Sequence, residues 1–305
     1  LKEYFFTKFV LYHVFVFIFV GSILACSTKN KTEVGFIEVK DDLGRVIKVK
    51  SNPDRVMALS SSLSEMLYLI CPDSEIIART QNCNYPPAIL SKPVINNYPI
   101  DYEGLLVLHP DIVFAKDGIM SLEDAEKIQS MGIPVFFQKY TNIEDIFAGL
   151  EELGEVLNKK EKAHRVADSL RNEANRMNDE LQGKNGKKPK VLILITLDQL
   201  FVFGKDSYVS DIIEKAGGMN AMSKIFNNPF PQINTEYILQ INPDLIFILG
   251  EKPLNLTTMY PELEKVEAVK KNAIFRIEGD LVSRPGPRVV EAIKIIRQKI
   301  VEYER

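Results

Sequence analysis

Short apolar runs, four or five residues long, punctuate this chain, and each is followed by polar turn residues. Val56-Met57-Ala58-Leu59, Ile76–Arg79, Ile112–Ala115, Val135–Gln138, Val191–Ile195, Leu245–Leu249 and Ala273–Ile277 fit strands buried on both faces. Val46–Val49 alternates instead, after a turn at Asp42-Leu43-Gly44, as a half-buried strand does. Between the runs the apolar period lengthens to that of a helix. Met66, Leu67 and Ile70 follow Ser60-Ser61-Ser62, where a serine caps and Glu65 supports the first turn. Val209–Ala216 ends at Gly217-Gly218, and an amphipathic stretch covers 288–303. Strand and helix alternate, which predicts an α/β fold with parallel sheets covered by helices.

One phrase occurs twice. Leu106-Val107-Leu108-His109-Pro110-Asp111-Ile112-Val113-Phe114 returns 133 residues later as Leu239-Gln240-Ile241-Asn242-Pro243-Asp244-Leu245-Ile246-Phe247. Glu103 and Glu236 keep the same offset. Each copy reads as helix, Pro-Asp turn and core strand. A long-period repeat points to two similar lobes, and a cleft between lobes is a usual ligand site. The competing reading is chance recurrence of a common junction, with each glutamate simply favoured at a helix N-terminus.

From Asn142 to about Gln182 there is no proline, and apolar residues fall at helical spacing. Ile143, Ile146, Phe147, Leu150, Leu153, Val156 and Leu157 form one apolar stripe, and Ala163, Val166, Ala167, Leu170, Ala174 and Met177 a narrower one. A long helix with such a stripe either joins two lobes or covers one of them. Gly183–Pro189 closes the segment as a loop.

The N-terminus has a different composition. Lys2 and Lys8 precede an apolar stretch from Phe9 to Ala25, and Ile23-Leu24-Ala25-Cys26 follows. This is either an export signal with Cys26 as a lipidated N-terminus or a membrane-anchoring helix. Both export the chain. Cys71 and Cys83 then remain, as a disulfide or as two buried thiols, without metal-ligand spacing. With 46% hydrophobic and 26% charged residues the chain is globular, and a net charge of −3 gives no attraction to nucleic acid.

No GxSxG elbow, P-loop or GxGxxG is present, and His109 and His164 both read as surface residues. Four proline-bounded loops carry rings or charges: Tyr85-Pro86-Pro87, Asn97-Tyr98-Pro99, Asn228–Gln232 and Ser283–Arg288. Loops after parallel strands face the ligand crevice, so these predict a cleft with aromatic walls.

The Arg-Val-x-x-Leu opening at Arg55, the Ser/Glu helix, the Tyr-Pro-Pro loop, both Pro-Asp strands and the central helical region occur in this order. With them, residues 45–300 resemble ABC-transporter periplasmic binding proteins whose lobes are joined by one rigid interdomain helix. That family serves vitamin B12, iron-siderophore and haem import. The resemblance implies two similar α/β lobes with a cleft between them, laid out as a signal peptide (1–25), a lipidated cysteine and tether (26–35), an N-terminal lobe (36–141), a helical region (142–188) and a C-terminal lobe (189–305). Its vitamin B12-binding members match best. They imply ligand contacts at Tyr85, Tyr98, Phe201, Phe230, Asp280 and Arg284. Where those members carry a further cleft tryptophan, this chain has Lys116, and it has no tryptophan at all. Lys116, Asp117 and Arg284 could then meet carboxylates or catecholates of another chelate. Glu103 and Glu236 match the family's docking residues for the permease dimer.

The expectation is a lipid-anchored, monomeric, non-catalytic binding protein facing the periplasm or cell exterior. It has no cofactor of its own and delivers cobalamin, or another metal chelate such as a ferric siderophore or haem, to a permease with its ATPase. Two other classes remain: a chelatase-like enzyme on the same scaffold, and a tethered interaction protein with no small ligand.

Overall fold

In the computed structural model the described residues are 35–179, 187–250 and 256–304. The leader and Cys26 lie outside them. No helix among the described residues is long and apolar enough to cross a membrane.

The chain opens with an antiparallel hairpin, β1 (Phe36–Lys40) and β2 (Val46–Lys50). Next come β3 (Val56–Ala58), α1 (Ser61–Ile70), α2 (Tyr102–Leu108), β4 (Ile112–Lys116), α3 (Leu122–Ser130) and β5 (Val135–Gln138). The strands form a parallel sheet in the order β3-β4-β5. Two helices follow, α4 (Ile143–Val156) and α5 (Lys160–Asp179). The second half holds β6 (Lys190–Leu194), α6 (Tyr208–Lys215), β7 (Met219–Asn220), α7 (Thr235–Ile241) and β8 (Leu245–Leu249). It ends with α8 (Leu256–Met259), α9 (Glu267–Lys270), β9 (Ile274–Ile277), α10 (Gly279–Ser283) and α11 (Val289–Tyr303). Its sheet is parallel, ordered β7-β6-β8-β9.

The period-2 geometry of each strand sorts its side chains between two cores. Ile112 and Phe114 of β4, Phe136 of β5, Val191 and Ile193 of β6, and Leu245 and Phe247 of β8 all join one core that runs through both halves. Val113, Ala115, Val135 and Phe137 face a second core local to the first sheet. Leu192, Leu194, Ile246 and Ile248 face a third, local to the second sheet. Ala163, Ala167 and Ala174 of α5 lie in the shared core, and α5 packs against α1 on one side and α6 and α11 on the other. A helix of 20 residues is about 30 Å long, enough to reach along both sheets.

The helical region is two helices rather than one. Asn158 takes a left-handed conformation (φ 54°) between them. Gly154 permits their close approach: a Cβ there would lie 2.2 Å from the Ala163 Cβ. The expected strand at Ile76–Arg79 reduces to isolated bridges, Val56 with Ile76 and Arg79 with Val94. Phe201 and Val202 likewise make only single antiparallel bridges. In both places the chain touches the sheet at one residue and turns away.

Both copies of the repeated phrase fold alike. α2 ends at His109 and α7 at Asn242, each left-handed with φ 44° and 43°. The Asp111 amide donates to the Arg55 carbonyl, and the Asp244 amide to that of Lys190, each at 2.8 Å. The carboxylates return the contact, accepting from the Arg55 amide at 3.2 Å and the Lys190 amide at 2.7 Å. Each basic side chain then caps its helix: Arg55 donates to the Leu108 and His109 carbonyls, and Lys190 to that of Ile241. Cation and helix dipole agree in sign there. Cys71 and Cys83 are both buried free thiols, and burial, then the nearby Glu75, pushes the Cys71 thiol up to about 12.

Candidate ligand-binding cleft

The N-terminus of α1 and the segment after α10 come from opposite halves of the chain and meet across a cavity of about 600 Å³. Gly286 lies against Ser62: a Cβ there would be in van der Waals contact with the serine Cβ, at 3.4 Å. From α1 the cavity receives Ser60, Ser61 and Ser62. Ser60 caps the helix by accepting from the Leu63 amide at 3.4 Å, and its hydroxyl lies 2.9 Å from that of Ser62. Thr80, Gln81, Asn82, Asn84 and Asn97 add further hydroxyls and amides, and Ile119 one apolar contact. Beneath them the buried Cys83 thiol lies 3.0 Å from the Thr80 hydroxyl and donates to that of Ser64 at 3.3 Å. The opposite wall is Asp280, Ser283, Arg284 and Pro285.

A charged network forms the floor. Arg284 donates to Glu65 at 3.1 Å, to the Asn84 side chain at 2.8 Å and to the Asn82 carbonyl at 3.0 Å, and pairs with Asp280 at 2.8 Å. Asn84 closes the ring by donating to Asp280 at 3.1 Å. Arg288 grips the same glutamate bidentately at 2.9 and 2.8 Å. Its guanidinium also lies over the Tyr85 ring, 4.4 Å from the centroid. The Glu65 side chain is 1% exposed. Burial works against the charge on Arg288, but the hydrogen bonds and charge of Glu65 together with the charges of Glu278 and Glu291 outweigh it, so its pKa is raised.

Of the residues singled out in the sequence, Asp280 and Arg284 line the cavity. Tyr85, 41% exposed, stands beside its floor under Arg288. Tyr98 follows the lining residue Asn97 and is 89% exposed. Lys116, at the end of β4, is half-buried and donates to the Asp117 carbonyl at 3.2 Å. Burial holds its ammonium below the usual lysine range, with Asp117 opposing. Phe201 and Phe230, in the second half, do not line the cavity. Phe201 bridges Gln232, and Phe230 packs edge-on to the core residue Phe203 at 5.6 Å. The aromatic wall expected from the loops is therefore replaced, in this cavity, by hydroxyls and amides. Glu65 does not serve the first turn of its helix but faces two arginines more than two hundred residues away. The run Thr80-Gln81-Asn82-Cys83-Asn84, small and polar between an apolar segment and a proline loop, was the readable signal for the lining.

His109 caps α2. His164 lies 2.9 Å from Glu151 and 3.4 Å from Asp168 through its two ring nitrogens, and Arg171 completes the cluster. With both imidazole nitrogens engaged and a cation in place, the cluster is satisfied as an ion-pair network. Glu103 and Glu236 are exposed at the second position of α2 and α7, and neither is ion-paired among the described residues.

Comparison with known proteins gives a consistent picture. The family model described as periplasmic binding protein matches residues 56–281. An uncharacterised ABC transporter substrate-binding lipoprotein of Bacillus subtilis is 23% identical over 277 residues, covering 89% of this chain and 88% of the relative. A vitamin B12-binding protein of Vibrio parahaemolyticus is 24% identical over 245 residues, covering 79% and 86%. Among solved structures, the apo form of a periplasmic haem-binding protein from Roseiflexus sp. RS-1 superimposes with a TM-score of 0.74 at 19% identity, covering 83% of this chain and 99% of that one.

Proposed function

This chain belongs to the periplasmic binding protein family, and on that premise we propose that it captures a corrinoid for an ABC importer of the vitamin B12, haem and siderophore type. The relatives support transport rather than turnover: one is described as a substrate-binding lipoprotein of an ABC transporter and another as a vitamin B12-binding protein. The chain is exported, Cys26 carries the lipid anchor, and the partner is a permease with its ATPase. Glu103 and Glu236, exposed at matching positions of the two halves, dock one lobe each.

The observation that carries the ligand class is the chemistry of the cavity. Its lining is hydroxyls and amides with a single internally paired acid and base. A corrin is rimmed by amides, which exchange hydrogen bonds with such a wall, and it is held with little net charge to neutralise. Haem presents broad apolar faces and two carboxylates, and a catecholate chelate is strongly anionic. Both would desolvate these polar groups without repaying them. A second reading has an observation of its own: no aromatic ring lines the cavity to stack on a flat macrocycle. That favours a neutral ferric hydroxamate.

Isothermal titration of the soluble form starting at Ser27 tests the assignment. Cyanocobalamin or its precursor cobinamide is expected to bind one-to-one with a Kd below about 1 μM, beyond about −8 kcal/mol. No heat from either, with saturable binding of ferrichrome, would replace the corrinoid by the hydroxamate.

A further inference from the structure

Glu65 lies outside the cavity lining, yet both arginines at its floor end on it. Arg288 meets both carboxylate oxygens and Arg284 one of them. Asp280 takes the other side of Arg284, and Glu278 lies 3.5 Å from Arg288. Three carboxylates thus face two guanidiniums, and no charged side chain other than Asp280 and Arg284 lines the cavity. Without Glu65 the same floor would hold two arginines against Asp280 and the mostly exposed Glu278, whose side chain is 59% exposed and weakly coupled. An entering carboxylate or phosphate would then find the Arg284 N–H released by Glu65, on a guanidinium with one counter-charge fewer.

We propose that Glu65 is the specificity-determining residue of the cleft. By occupying Arg284 and Arg288 it removes the positive potential that an anionic chelate needs, so the site selects neutral, amide-rimmed ligands. This rests on the reading of the cavity as a metal-chelate site and adds how its charge preference is set. A ligand carboxylate must displace Glu65 from Arg284 and leave a buried anion with one partner fewer. A neutral amide carbonyl has the Arg284 Nε–H to accept from, which the contacts to Glu65, Asn84, Asn82 and Asp280 do not use, and leaves the ion pairs intact. Glu65 reaches no ligand in this arrangement. It acts through the two guanidiniums.

The test compares probes that differ by one charge: cyanocobalamin and its monocarboxylic acid, in which one side-chain amide is a carboxylate. The wild-type soluble form is expected to prefer the neutral probe. Glu65→Gln should shift the affinity ratio toward the acid by about tenfold or more, and the shift should shrink as salt is raised. Arg284→Gln should move the ratio the opposite way. The double variant, with the wild-type net charge of the floor restored, should return near the wild-type ratio, which a purely structural role for Glu65 would not produce. A ratio within about twofold of wild type in a Glu65→Gln protein that still melts cooperatively overturns the proposal. If that variant does not fold, an unchanged ratio in Arg284→Gln overturns it. Should the wild type bind neither corrinoid, the same variants are titrated with neutral ferrichrome and a trianionic ferric tris-catecholate. Binding with no change in charge preference sinks the role of Glu65 alone, whereas no binding of any probe sinks the chelate reading and this proposal with it.

Discussion

At the scale of single residues, the two Pro-Asp turns show what a buried carboxylate does in this fold. Asp111 is 5% exposed and takes Lys50 as its ion-pair partner while accepting from the Asp54 and Arg55 amides. Burial alone would raise its pKa. The hydrogen bonds from Lys50 and Asp54 more than reverse this and hold it below the ordinary 3.8. Its folded pKa is therefore depressed, and the stabilisation it brings is complete above the unfolded value and lost as pH falls through the folded one. Asp111→Asn should lower unfolding stability at pH 7 by about 1–3 kcal/mol, less than a fully buried pair because Lys50 is 38% exposed. Urea denaturation at several pH values checks this: the gap between variant and wild type should close below about pH 4. The aspartate was legible because proline beside it punctuates the pattern. The backbone partners of the two aspartates, at Arg55 for Asp111 and Lys190 for Asp244, were not, since nothing local links residue 55 to 111 or 190 to 244.

The elements were mostly legible, because a continuous apolar run or a helical stripe reflects burial that each segment needs whatever its neighbours are. Ile76–Arg79 misled because apolar content marks burial, not pairing. Ile76 and Ala78 are buried, but only single residues reach another strand. The break between α4 and α5 was also hidden, since Asn158 is the only local hint of it and the apolar stripe resumes beyond. Gly154 gives this break a testable consequence. Alanine is a better helix former by about 1 kcal/mol, yet Gly154→Ala places a methyl 2.2 Å from the Ala163 Cβ. The variant should lose about 1–3 kcal/mol through overpacking and melt lower than wild type. A rise in Tm by scanning calorimetry would show that α4 and α5 separate freely.

For the whole molecule, the shared core is the decisive feature. Side chains from both sheets and the alanines of α5 belong to one apolar cluster, so wide separation of the lobes would expose it. Ligand capture then proceeds by small adjustments at the cleft rather than by a large clamshell motion. The docking role proposed for the two separated, matching acidic positions is testable at this scale. Glu103→Ala with Glu236→Ala should abolish cellular uptake while solute affinity in titration stays within about twofold of wild type. A fall in affinity would place these glutamates in ligand binding or folding instead.

The sequence by itself determined the parallel α/β class, the repeated helix–turn–strand unit and the family, because these are written in local periodicity, in turn chemistry and in residues that keep their order along the chain. Tertiary structure alone decided the chemistry of the cleft. Glu65 gained its role only when folding brought Arg284 and Arg288 beside it. The serines of α1 and the amides of residues 81–84 became a wall only when Gly286 closed against Ser62. Burial is a property each segment carries in its own pattern, whereas charge pairing and cavity lining belong to residues that meet only in space.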